Sequence, residues 1–534
     1  MMMAFIKNKL SIYIFLLTLI GGFFRFYNLN WGSPFYFHPD ERNIASSIVN
    51  LQFPNQMNPH FFAYGSFPIY LIYFTAYFSN LITKSQLIFD QAIIIGRFYS
   101  AFLSVLLIPS IYYVGTKLVN KRVGIIAATF CTLSVGLIQF SHFGTFEVWL
   151  TFLGVWLFYF SLRLLKDLSL KNIVITGAIF GLLMATKISS LPLFILPIVA
   201  IILSLFEKIK TQKIYLLLIK IIIKIIILIF ISFIIFAAFS PYVFLDFKSF
   251  LSSMRYESSV ALGTLPVFYT GEFFNSAPIL FQFLKIYPFL INPILTVLFI
   301  PSFVFVFILY LKKRNFSYLL LIACFLLLFI PQAFLFAKWT RYILPTLPFM
   351  YLMLAIFLEK FINKKILNII IFISMVFAGS YFINTYTRDD TRIQASIWAK
   401  KNISADSRIL SETYDLGIVP FNSAFRNISL FNFYDLDQTP DIKSLELENF
   451  LSQSQYIILP SQRILKTRLV KNDKFPNGYK FYSELVDGKL GYKKIYETSC
   501  DIFCKITYLG DPVFSFEETT NVFDRPTVSI FKKI

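Results

Sequence analysis

Apolar residues fall along this chain in long unbroken runs, and neither the 3.6-residue stripe of a soluble helix nor the alternation of a half-buried strand describes its first two thirds. Runs near the roughly 20 residues that cross a bilayer as a helix occupy 10–26, 92–115, 123–140, 148–165, 172–189, 191–206, 220–239, 286–311, 317–336, 343–358 and 366–384. They predict about 11 transmembrane helices. A further run, 67–82, is shorter, rich in Tyr and Phe, and has Pro68 near its start. Its composition suits an interfacial helix of the first external loop, and "SPYVFLDFKSFLSSMRYESS" reads as a second such helix. Beyond Thr385 the pattern changes. "RIQASIWAKKN" reads as a helix, and "SRILSE", "YIILP" and "TVSIFKK" as short strands. The expected fold is mainly α and polytopic, with a transmembrane domain over 1–384 and a small α/β domain over 385–534.

Composition agrees with the pattern: 57% hydrophobic and only 15% charged residues exclude an ordinary soluble domain. The formal charge of +20 first suggests nucleic acid, but its distribution points elsewhere. Residues 1–384 hold 29 Lys and Arg against 10 Asp and Glu, whereas the tail holds 20 against 19. Basic residues beside apolar spans report orientation in the membrane, so no nucleic-acid partner is expected. The clusters at 120–122, 166–171, 207–213, 312–314 and 359–365 fall on the side of Lys7 if the run 67–82 does not cross. This threading predicts a multi-pass protein of the cell membrane with a cytoplasmic N-terminus and an extracytoplasmic tail. Lys7 and Lys9 precede the first run and no small-residue cleavage pattern follows it, which favours a retained signal-anchor. Lys220 and Lys224, inside an Ile-rich span, read as snorkelling side chains. Cys500 and Cys504 permit a disulfide in the tail.

Candidate chemistry lies on the predicted outer face. "FHPDERNIAS" places Asp40 and Glu41 in the first turn of a helix, where two acids complement the macrodipole and backbone N–H groups point at any nearby anion. "QFSHFGTFEVWL" puts Glu147 at the outer end of one span, with His142 nearby, and "GLLMATKISSL" puts Lys187 at the outer end of another. Ionisable residues at the bilayer edge are expensive and are functional candidates by default. Glu41 and Glu147 suit hydroxyl groups, a cationic group or a divalent metal. His38, His60 and His142 with Asp40 and Glu147 form a conceivable metal site, although their spacing matches no known ligand pattern. Asp246, Arg255 and Glu257 border a potential acceptor entrance, and solvation of the surface explains them equally well.

The order of "FRFYNL", "HPDERNIA", "FSHFGTFEVWL", "GAIFGLLMATKISSLP", "FSPYVFLDFKSFL" and "WTRYILPTLPF" resembles the GT-C membrane glycosyltransferases, specifically the family 39 and 83 group that contains protein O-mannosyltransferases and lipid A aminoarabinose transferases. The resemblance implies an inverting transfer from a polyprenyl-phosphate sugar to an acceptor hydroxyl on the extracytoplasmic face. It needs no nucleotide sugar and no resident cofactor, the divalent metal left open. It places the catalytic base on Asp40, beside Glu41. The family's second acid, usually Asp, falls on Glu147. Lys187 and Arg341 fall where the donor phosphate is held, with His38, Arg42, His142, Asp246 and Glu257 as further substrate-binding candidates. The expected partners are the polyprenyl donor, membrane lipids, and an acceptor that is protein, lipid or glycan. A lipid-linked glycan transporter is the rival class, against which stands the absence of matched interrupted spans in two halves. A polysaccharide ligase or polymerase is the rival enzyme, against which stand the short late loops.

Overall fold

The computed structural model describes residues 9–206, 214–413 and 422–534, so Lys7 and the basic cluster 207–213 lie outside the described residues. The chain divides into two compact units, one of 1–29, 43–259 and 290–378 and the other of 30–42, 260–289 and 379–534.

The first unit is helical. Among the described residues, seven helices are long and apolar enough to cross a membrane, and the bent pair Lys121–Thr132 and Val135–Ser141 makes eight if it is one span. Three shorter apolar helices, Ser11–Phe26, Leu170–Thr186 and Ile188–Ser204, fall on the remaining predicted runs. The aromatic run is an 18-residue helix, Ser66–Thr83, and is not among the seven. The segment Leu347–Phe361 is almost wholly buried, whereas Ile214–Phe239 presents Ile222, Ile226, Phe230 and Phe233 outward. An apolar helix exposed on most of its circumference fits a lipid solvent. Where that helix does pack, glycines allow it. A Cβ on Gly181 would lie 2.6 Å from the Ser232 carbonyl, and one on Gly177 would lie 3.1 Å from the Leu228 carbonyl. The G-x-x-x-G spacing of "GAIFG" brings two backbones together in this way.

The bent pair turns by 55°. Ser134 caps the second half, its Oγ accepting from the Leu137 N–H at 3.3 Å. The break frees carbonyls that water would otherwise satisfy, and Arg25 supplies the donors. Its Nη2 donates to the Cys131 carbonyl at 2.8 Å, its Nη1 to the Thr132 carbonyl at 3.2 Å, and its Nε to Ser104 Oγ at 2.7 Å. Arg25 is thus fully buried with its donors engaged.

One detail differs from the sequence expectation. The run 286–311 is interrupted. Asn292, at φ 81°, caps a new helix, Pro293–Lys313, by accepting from the Leu295 N–H at 3.0 Å, and Pro293 fills the first turn. Lys224 Nζ donates to the Leu168 carbonyl at 2.6 Å, in the segment that follows helix Glu147–Lys166.

The second unit is an α/β sandwich. Its sheet has the order β2–β1–β3–β5–β4, with β1 at Arg408–Glu412, β2 at Asn427–Phe431, β3 at Tyr456–Leu459, β4 at Tyr492–Glu497 and β5 at Ser529–Lys533. The strand β1 runs parallel to β2 and β3, and β5 antiparallel to β3 and β4. Alternation sends Leu410, Ile457 and Phe531 to a core shared with Phe481, Tyr482 and Leu485 of helix Pro476–Val486. Ile409, Ile458 and Ile530 face a second core with Ala395 and Ala399 of helix Thr391–Asn402. Both faces are covered, which accounts for the continuous apolar runs of the inner strands. Cys500 and Cys504 form a disulfide.

Candidate active site

Glu147, Lys187 and Arg341 all stand where a helix starts or stops. Glu147 is the first residue of helix Glu147–Lys166. Lys187 caps the end of Leu170–Thr186, where the backbone becomes extended before the 3-10 turn Ile188–Phe194. Arg341 lies in the short helix Thr340–Ile343. The three line one cavity of about 40 Å³, together with Ser189, Gln332 and Tyr342. Since a water-sized group needs roughly 10–15 Å³ by this measure, the space has room for about three such groups.

Within it, Lys187 Nζ is 3.3 Å from Glu147 Oε1. The Tyr64 hydroxyl donates to the same oxygen over 3.4 Å. The ammonium stands 4.7 Å from the Tyr64 ring centroid and 5.5 Å from that of Tyr342. Arg341 lies over Trp339 at 4.8 Å and Tyr342 at 5.7 Å. Such contacts are worth about 0.5–2 kcal/mol, the more so as water is excluded. Glu147 is 1% exposed, and its Oε2 has no hydrogen-bond partner among the described residues. Two cations against one carboxylate leave the lining with one net positive charge. The arrangement can take an anion on Lys187 and Arg341 and a hydrogen-bond donor on Glu147.

The position of Lys187 is set from the first loop. The Gly65 N–H donates to the Thr186 carbonyl at 2.9 Å. A Cβ on Gly65 would sit 2.0 Å from the Ala185 carbonyl oxygen, so only glycine allows this approach. Tyr64, Gly65 and Tyr342 were not marked by the sequence reading. The only local signal is an aromatic–glycine pair directly before a helix, and an aromatic beside Arg341.

Asp40 and Glu41 occupy the first turn of helix Pro39–Val49, as expected, with Asp40 half-buried and Glu41 buried. The residues before them are held within the second unit. His38 packs against Phe523 with centroids 4.4 Å apart, and the Arg392 guanidinium lies 3.7 Å over the Phe37 ring. Arg42 folds back on this segment, donating to the Phe35 carbonyl at 2.9 Å.

The remaining candidates have other settings. The ring nitrogens of buried His142 lie 2.8 Å from the Ile138 carbonyl and 2.9 Å from the Tyr27 carbonyl, which ties it to the backbone. Asp246 accepts from Asn58 Nδ2 at 2.9 Å and lies 3.8 Å from His60. Hydrogen bonds from Ser249 and Asn58 hold its carboxyl below the usual carboxylate range. Glu257 is half-buried on helix Phe247–Leu262 and, like Asp246, does not line the cavity. No three His, Cys, Asp or Glu among the described residues gather as metal ligands.

The model of the family described as dolichyl-phosphate-mannose-protein mannosyltransferase matches residues 73–245. The archaeal oligosaccharyltransferase AglB from Archaeoglobus fulgidus, in complex with an inhibitory peptide and a dolichol-phosphate, superposes with a TM-score of 0.51 at 13% identity, over 99% of this chain and 89% of that one. This is the GT-C membrane glycosyltransferase fold. ArnT from Cupriavidus metallidurans bound to undecaprenyl phosphate aligns over 97% of both chains at 10% identity, with a TM-score of 0.49. No curated protein matches the chain in sequence. The matched stretch 73–245 contains Glu147 and Lys187 but not Asp40, Asp246 or Arg341.

Proposed function

We propose that the protein is an inverting glycosyltransferase that moves a sugar from a polyprenyl phosphate to an acceptor hydroxyl at the extracytoplasmic face of the cell membrane. The observation that carries this reading is the convergence of Glu147, Lys187 and Arg341, from three separate helix ends, on one cavity with net positive charge. The family matched over 73–245 is named for a dolichyl-phosphate sugar, and the AglB structure is a complex with a dolichol-phosphate, in keeping with such a donor.

Lys187 and Arg341 receive the charge that builds on the departing phosphate. They do so beside buried apolar walls, where fixed cations are worth most. Lys187 is held by Glu147 and two aromatic faces, so little reorganisation is needed when the anion arrives. Asp40 removes the acceptor's proton as its oxygen attacks C1. It is preferred to Glu41 because it is the more accessible of the pair. A base of this kind contributes about 10²–10⁴-fold. Both reactants are confined to a surface, which lowers the entropic cost of bringing them together. The polyprenyl phosphate leaves with the electron pair of the C1–O bond, and the sugar is inverted. The chain's own residues require no nucleotide.

The test uses the purified full chain and a panel of polyprenyl-phosphate hexoses and pentoses. Turnover releases polyprenyl phosphate, which a carrier does not do. Asp40→Asn is expected to lose at least about 10²-fold in that release, at unchanged expression and thermal stability. Wild-type turnover by Asp40→Asn removes Asp40 from the role of base.

A further inference from the structure

The segment 30–38 has no helix or strand, yet it precedes the helix that carries Asp40. Within the segment the Phe35 and Tyr36 amides donate to the Gly32 carbonyl at 2.8 and 2.9 Å, the Ser33 amide to the Asn30 carbonyl at 3.2 Å and the Tyr36 hydroxyl to Asn30 Oδ1 at 3.0 Å, with Tyr36 at φ 48°. Three of its side chains rest on residues of the tail within the second unit. Trp31 meets the edge of Tyr386 at 6.4 Å, Phe37 lies under Arg392 at 3.7 Å, and the His38 ring packs at a tilt of 41° against Phe523, with centroids 4.4 Å apart.

Arg392 is built to keep its place. It is 4% exposed. Its Nε donates to Asp390 Oδ1 at 2.8 Å and its Nη2 to Asp390 Oδ2 at 2.6 Å, a bidentate pair. Nη2 also donates to the Phe523 carbonyl at 2.6 Å. Asp390 in turn caps helix Thr391–Asn402, accepting from the Arg392 N–H at 2.8 Å. One guanidinium therefore presents a face to Phe37 while its edge fixes the residue against which His38 packs. A lysine cannot reproduce this, because it lacks the planar fork.

We infer that Arg392 is a positioning residue: with Asp390 and Phe523 it forms a clamp on Phe37 and His38 that fixes the loop presenting Asp40, so that the tail domain sets the geometry of the base. The inference rests on the reading of Asp40 as base. It assigns the tail a part in the chemical step that is separate from donor binding.

Three variants of the full chain test it: Arg392→Gln, Arg392→Lys and Phe37→Leu. The last leaves the Arg392–Asp390 pair and the tail's own fold intact. Arg392→Gln is expected to lower kcat by about 10²-fold, the size of effect that a displacement near 1 Å produces, with donor KM held within about twofold. Phe37→Leu is expected to fall between that variant and wild type, and Arg392→Lys to recover part of kcat. Wild-type kcat in Arg392→Gln overturns the inference, as does a parallel loss of donor binding with kcat per folded molecule unchanged. A second measurement does not depend on turnover. Hydrogen exchange at the Phe35, Tyr36 and Arg42 amides is expected to accelerate at least about tenfold in Arg392→Gln, while strands β1 and β3 keep their protection. Unchanged exchange there overturns the clamp even if no donor in the panel is turned over, an outcome that for wild type refutes the transferase reading instead.

Discussion

At Gly65 the smallest possible change in a side chain reaches the cavity. The Cβ of an alanine would lie 2.0 Å from the Ala185 carbonyl oxygen and 2.5 Å from its carbon, both backbone atoms that cannot swing aside. Something must move, and what moves is the contact between Gly65 and Thr186 that precedes Lys187. Gly65→Ala is therefore expected to weaken donor binding about tenfold or more through displacement of Lys187, with a shift in unfolding midpoint no larger than an ordinary overpacking of roughly 1–3 kcal/mol. Affinity for polyprenyl phosphate in detergent micelles measures it, and unchanged affinity shows that Lys187 is placed by other contacts. At this scale the sequence told much about which residues matter and little about what they touch. Glu147 and Lys187 were recognisable as costly charges at span ends. Their pairing over 3.3 Å across 40 positions was not, because periodicity carries no information on which helix ends meet. Tyr64 and Gly65 escaped because an aromatic–glycine pair is common in loops. The two carbonyls that His142 meets, those of Ile138 and Tyr27, were equally hidden from the sequence.

At the scale of elements, the break between Lys121–Thr132 and Val135–Ser141 shows how a membrane helix is allowed to bend. In lipid, freed carbonyls find no water, so another part of the chain must satisfy them. Arg25 does so for Cys131 and Thr132. Arg25→Met keeps the length and removes every donor. It is expected to destabilise the protein by at least about 2 kcal/mol, since each orphaned buried acceptor costs roughly 1–3 kcal/mol. Thermal unfolding in detergent is the measurement, and an unshifted midpoint would mean that the carbonyls have other donors. The bend was invisible in the hydropathy of 123–140, which averages over the break. Hydropathy also ran past Asn292–Pro293, although an Asn followed by Pro is a helix start on local chemistry alone. In the tail, the inner strands β1, β3 and β5 were legible as apolar runs. The strands β2 and β4 were not, because they are the sheet edges: Lys493 and Lys494 of "YKKIYE" are exposed, as suits an edge guarded against pairing with another chain.

At the scale of the molecule, the first unit sorts its helix ends into two sets. Glu147 begins a helix whose other end leads to Leu168, and Leu168 receives Lys224. Arg341 precedes a helix whose other end carries Glu359, and Glu359 accepts from Asn120 beside the basic pair Lys121 and Arg122 over 3.4 Å. One set of ends therefore gathers basic clusters, and the opposite set lines the cavity. With positive loops at one set of ends, the cavity cations at the other must be held against the insertion bias by specific partners. Glu147 is that partner for Lys187. The orientation is open to a direct test with little background. Cys131 and Cys324 are buried, and the other two cysteines are joined in the disulfide. Lys489, in the tail, is exposed, and so is Lys313, at the end of Pro293–Lys313. Lys489→Cys is expected to react with an impermeant maleimide in intact cells, and Lys313→Cys only after permeabilisation. The reverse pattern would place the cavity on the cytoplasmic face, where a donor carried on the outer leaflet cannot reach it.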